Sequence, residues 1–115
     1  MSTYIADTTN VSGNPIVIGN AVVGDNAQVC GCAIVCGGAK VCDYAVVRDH
    51  AFLDGGAIVE GNAVVADEAR IRLEAQVKGN ACVSGNTKVY YSILEGDVTI
   101  SSGLIFRVCW WRDVP

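Results

Sequence analysis

Every sixth residue from Ile5 to Val89 is aliphatic. The series runs Ile5, Val11, Val17, Val23, Val29, Val35, Val41, Val47, Leu53, Val59, Val65, Ile71, Val77, Val83 and Val89. Four residues after an aliphatic comes a second series of small side chains. It is alanine at eleven consecutive steps, from Ala21 to Ala81, with Thr3, Thr9 and Pro15 before it and Thr87 after it. A period of six fits neither an α-helix, which repeats at 3.6, nor an uninterrupted strand, which repeats at 2. Self-similarity at a short fixed period is the mark of a solenoid, in which each unit buries its apolar side only against its neighbours.

Within a unit, small, outward, aliphatic and outward positions alternate as in a short strand. Two corner residues follow. Twelve of the thirteen glycines lie in corner positions, Gly24 being the exception. Six of the seven asparagines take the second corner position: Asn14, Asn20, Asn26, Asn62, Asn80 and Asn86. Glycine and asparagine tolerate left-handed backbone angles, so both corner positions are expected to turn the chain there. After Val89 the phase slips by one residue. Deleting one position in 90–92 restores the pattern as Ser92/Leu94, Val98/Ile100 and Leu104/Phe106.

Val23-Gly24-Asp25-Asn26-Ala27-Gln28 resembles the hexad of the hexapeptide-repeat, left-handed parallel β-helix family. Val-x-Gly-Asn-Ala recurs at Val17, Val59 and Val77, and with Thr at Val83. The pattern is similar to that of bacterial and phage β-solenoids with long Val-x-Gly-Asn-Ala arrays. The resemblance implies an all-β triangular solenoid of about six coils, three hexads to a coil, so that residues eighteen apart stack. The helix is expected over residues 1–107, with a short capping tail over 108–115. The resemblance also implies a homotrimer with ligands held in clefts between subunits.

Composition agrees with such a thin core. Hydrophobic residues make up 51% of the 115, yet aromatic residues only 7%, so Val and Ala must fill the interior. The formal net charge of -4 argues against general nucleic-acid binding, which wants a basic face. The start of the chain does not read as a signal peptide, and no apolar run reaches the ~18 residues of a membrane span. A cytoplasmic protein away from membranes is expected, with its six cysteines as thiols.

Inward residues specify the fold, so function is sought on the outward ones. Reading at steps of eighteen gives three faces, of which one is polarised along its length. Ile16, Ile18, Ile34, Cys36 and Phe52 come first, then Arg70, Arg72, Lys88, Tyr90 and Arg107, with Asp54 as the offsetting acid. An exposed apolar stripe marks an interface, so Ile16, Ile18, Ile34 and Phe52 are assigned to contacts between subunits. Trp110 and Trp111 are expected to cover the last coil or a neighbouring subunit. Arg70, Arg72, Lys88, Tyr90 and Arg107 form a candidate site for a small anionic ligand, nucleotide- or CoA-like. Guanidinium groups beside an aromatic ring suit phosphate and a planar group.

His50, the single histidine, lies in a corner, with Cys32 eighteen residues before it and Glu68 eighteen after. Asn14 and Asn86 end this ladder. Hexapeptide-repeat acyltransferases commonly use a histidine as general base, which the resemblance extends to His50 as the one catalytic candidate. The cysteines do not suggest a metal centre: Cys30, Cys36 and Cys42 share one hexad position and leave from different faces, and no C-x-x-C pair exists. The leading expectation is a non-catalytic trimer that binds a small anion or a protein partner without a cofactor. Its nearly loop-free chain would suit a phage or mobile-element accessory protein. The alternatives are a CoA-dependent acyltransferase and a structural spacer in a fibre.

Overall fold

The computed structural model describes residues 4–5, 10–106 and 109–110. It is a parallel β-solenoid of about five turns, close to the six expected. Three sheets of seven, six and six strands form the faces of a triangular prism measuring 39 × 21 × 21 Å. Among the described residues there is no helix. Most strands contain only two residues. As far as Tyr90 each pairs in parallel with the strand eighteen residues away, as Ile34 with Phe52 and Val35 with Leu53. Such short strands are stable only as a stack, because each coil supplies hydrogen-bond partners to the next.

The two sequence series form the core. Ala21 through Ala81 and Val23 through Val89 are buried without exception. Each fully buried Val or Ile contributes about 1.5–3 kcal/mol, repeated coil after coil. The largest interior side chains include Leu53 and Ile71, which lie side by side beneath the third sheet. Thr87 and Ser92 replace alanine at two inward positions. Their hydroxyls donate to the carbonyls of Ser84 and Tyr90, at 2.8 and 2.9 Å, so neither is an unmet polar group.

The corners correct the expectation for asparagine. Positive φ falls on the first corner residue, whether it is glycine or not, and on the second as well only at Gly56 and Glu74 among these corners: Asp25, Asp43, Asp49 and Asp67 lie at 57–62° and Leu73 at 56°. No asparagine takes positive φ among the described residues. Two of the second-position asparagines instead join a side-chain ladder along one edge. Asn62 donates to Asn80 at 3.4 Å, and Asn80 donates to Asp97 at 3.1 Å.

The aspartates have their own task. The second corner amide bonds the coil beyond, as Asn26 N–H does to the Asp43 carbonyl at 2.9 Å. The first corner amide lies outside that ladder. Aspartate carboxylates reach it from the preceding coil: Asp49 accepts from Asp67 N–H, and Asp67 from Gly85 N–H. Where no aspartate stands, glycine lets backbones approach closely. A Cβ on Gly79 would lie 2.6 Å from the Gly96 nitrogen.

The slip expected in 90–92 is present. Tyr91, at φ 54°, is the whole of its corner, and the next strand pairs at an offset of seventeen, Gln76 with Ile93. A second slip was not legible. Lys88, Val89 and Tyr90 pair with Leu104, Ile105 and Phe106, an offset of sixteen. Ile105 therefore turns toward the core, while Leu104 and Phe106 face outward and are exposed. The inward assignment of Leu104 and Phe106 is corrected accordingly. Cys109–Trp110 extends the first sheet beside Ile93–Leu94.

Candidate functional site

The third sheet runs Ile16–Val17, Ile34–Val35, Phe52–Leu53, Arg70–Arg72, Lys88–Tyr90 and Leu104–Phe106. Its outward residues make two columns. Ile16, Ile34, Phe52, Arg70, Lys88 and Leu104 form one, in register at every step. Ile18, Cys36, Asp54, Arg72, Tyr90 and Phe106 form the other.

The first column borders the corner that carries the histidine ladder. Main-chain bonds stack that ladder as expected: Cys32 N–H to the Asp49 carbonyl, His50 to Asp67 and Glu68 to Gly85, at 2.8–3.0 Å. Cys32, His50, Glu68 and Asn86 are exposed. Between column and ladder lies an open groove of about 900 Å³, lined by Ile34, His50, Phe52, Glu68, Arg70, Asn86 and Lys88. Over the corner it meets a smaller hollow of about 360 Å³, which shares His50, Glu68 and Asn86 and adds Asp49, Asp67 and Gly85.

This arrangement joins residues that sequence reasoning kept apart. His50 and the cations Arg70 and Lys88 share one groove, and so do Ile34 and Phe52, which the sequence assigned to a subunit contact. The signal was available in the spacing. His50, Phe52, Glu68 and Arg70 are offset by two and by eighteen, which is one corner step and one coil.

The same geometry divides the expected anion site. Arg72 and Tyr90 belong to the far column. Arg72 Nε donates to Asp54 Oδ1 at 2.9 Å. Its guanidinium lies 5.9 Å from the ring centroids of both Phe52 and Tyr90. The hydrogen bond to Asp54, then its charge, holds Arg72 still more firmly protonated than usual. Arg70 and Lys88 make no ion pair among the described residues. Arg107 and Trp111 lie outside the described residues. Trp110 is placed only by its backbone, on the first sheet opposite Leu94. Ile16 and Ile18, at 47% and 54% exposed, continue the apolar stripe above the groove.

The cysteines Cys30, Cys36 and Cys42 follow strands of three different sheets, as their spacing requires. One cluster was missed: Asp25, Cys42 and Asp43 bring their ligand atoms within 4.8 Å of one another. Its groups already serve the fold. Asp25 accepts from Asp43 N–H at 3.2 Å and Asp43 from Gly61 N–H at 3.0 Å. Burial, then the charges of Asp43 and Glu60, pushes the Cys42 thiol up to about 11, which opposes the thiolate a metal needs.

No protein-family model matches the chain, and no curated protein matches it.

Proposed function

We propose that this solenoid is a binding protein that holds a small anionic ligand in the groove of its third sheet, and that copies assemble as a trimer through the adjoining Ile16/Ile18 stripe. The observation that carries the reading is the pairing of Arg70 with Lys88 at one rung, ~4.8 Å apart, both turned to the groove and free of ion pairs among the described residues. An anion that bridges them gains charge-assisted bonds without breaking existing ones. His50 and Asn86 add hydrogen-bonding groups, and Glu68 supplies an acceptor for a hydroxyl or amine on the ligand.

Titration calorimetry with nucleoside monophosphates, CoA and inorganic phosphate tests this reading. Saturable binding that falls with salt and is lost on charge reversal at Arg70 and Lys88 is expected. Binding that survives the reversal would sink the assignment. Light scattering on the same samples gives the oligomeric state, where a monomer would refute the trimer.

A second reading is favoured by the position of His50 in the groove with both cations. In an acyltransferase, Arg70 and Lys88 would hold the phosphates of acyl-CoA. Neutral His50 would take the proton of an acceptor hydroxyl or amine as it attacks the thioester carbonyl. The leaving thiolate then recovers that proton from the imidazolium. Acetyl transfer abolished by His50→Gln, with CoA binding retained, separates this reading from simple binding.

A further inference from the structure

The groove is not uniformly cationic. Along its floor Ile34 pairs with Phe52, Phe52 with Arg70, and Arg70 with Lys88. Three rungs therefore carry an apolar ledge into a cationic one over ~14 Å. Arg72, held by Asp54, sets its guanidinium 5.9 Å from the Phe52 ring centroid on the side of the far column. The ladder wall offers polar groups along the same length, with His50 beside Phe52 and Glu68 beside Arg70.

Resting on the anion-binding reading above, we infer that the ligand is an amphipathic organophosphate bound in one orientation. Its phosphate bridges Arg70 and Lys88, and a flat apolar body lies over Phe52 and Ile34. A bare anion uses half of this groove and leaves the apolar ledge wet. An apolar molecule without a charge leaves both cations without a partner. A phosphate monoester with an aromatic body about two rungs long meets both halves, because water leaves the ledge as the head group is bound. The orientation is imposed by the sequence of rungs, since a reversed ligand would set its phosphate beside Phe52 and its ring beside Lys88.

Titration calorimetry with methyl phosphate and 2-naphthyl phosphate on the full chain tests the inference, and the wild-type comparison requires no variant to fold. The naphthyl ester is expected to bind at least about tenfold more tightly than the methyl ester. Ile34→Ser and Phe52→Ala, each checked for an unchanged circular dichroism spectrum, should remove that advantage and leave methyl phosphate binding as it was. Arg70→Glu with Lys88→Glu should weaken both esters. Equal affinity of the two esters for the wild type overturns the amphipathic ligand while leaving the anion site standing. Binding of neither ester overturns both.

Discussion

Arg70 and Arg72 lie two residues apart on one strand, and both face outward, yet they serve opposite edges of the third sheet. On the Arg72 edge the cation is matched: Asp54 accepts from the guanidinium, and Phe52 and Tyr90 flank it. On the Arg70 edge the cation stands beside Lys88, a like charge, and shares the groove with Glu68, with which it makes no ion pair among the described residues. A paired, part-exposed charge contributes modestly to the fold, whereas two adjacent cations without ion pairs among the described residues favour an anionic partner. The corners repeat the contrast. Behind the groove Asp49 and Asp67 brace the amides of the next coil. At the other edge Leu73 and Glu74 both take positive φ with no such brace among the described residues.

The contrast can be broken, starting with the largest effect. The double charge reversal Arg70→Glu and Lys88→Glu should cost at least ~100-fold in affinity for an anionic ligand, from two lost charge-assisted bonds of about 1.5–3 kcal/mol each. Calorimetry measures it, and the melting temperature should stay within a few degrees of the wild type because neither group is in an ion pair among the described residues. Next, Asp67→Ala should lower stability by about 0.5–1.5 kcal/mol, because it leaves Gly85 N–H without its carboxylate acceptor while the positive φ remains. Asp67→Gly should recover part of the loss, since glycine removes the backbone strain but not the missing acceptor. Urea denaturation of the pair separates the two contributions.

Arg72→Ala should act in the opposite sense to the reversal on the groove edge. A part-exposed ion pair contributes modestly, so a drop in melting temperature of about 2–5 °C is expected, with methyl phosphate affinity unchanged. A large loss of methyl phosphate binding would show that the two edges are one site. The smallest effect is read at the thiols. Burial, then the charge of Asp54, raises the Cys36 thiol, while Arg72 lowers it. Removing Arg72 should therefore raise Cys36 further and slow its alkylation at mildly alkaline pH, since the thiolate is the reactive form.

Cys42, on another sheet, is the control. Its thiol stays near 11 against an ordinary 9.0. The stability linked to it is fully present below pH 9.0 and is lost as pH rises through about 11. Its alkylation should be slow in the wild type and in Arg72→Ala alike, whereas exposed Cys32 should react first.

Much of the fold was legible because one residue type does one job at each position. Valine and alanine at fixed steps left little choice but a narrow core, and the corner at Tyr91 showed itself by a single missing residue. The second slip did not show. Gly103 takes the register position that the small inward residue holds elsewhere, its carbonyl accepting from Lys88 N–H at 2.9 Å, yet it is exposed. Leu104, Ile105 and Phe106 are all apolar, so their alternation cannot be read from hydropathy. The candidate site was legible in parts only. Arg70, Lys88 and His50 were each singled out, but strand columns alone group Arg70 with Arg72. Grouping Arg70 with His50 required knowing that a corner residue and the outward residue after it border the same groove. The role of aspartate was hidden for a related reason. Its carboxylate serves an amide eighteen residues on, and no local pattern records that partner.

The two shortened corners also set a limit on growth. Successive coils lose a residue and then another, so the perimeter contracts toward the end that holds Leu104–Phe106. A regular eighteen-residue coil laid against that end would run out of step at two of its three corners. Parallel stacks of this kind otherwise carry the hazard of endless end-to-end addition. Here the misfit is written in length, not in charge or proline: a regular coil meets the narrowed ones out of register.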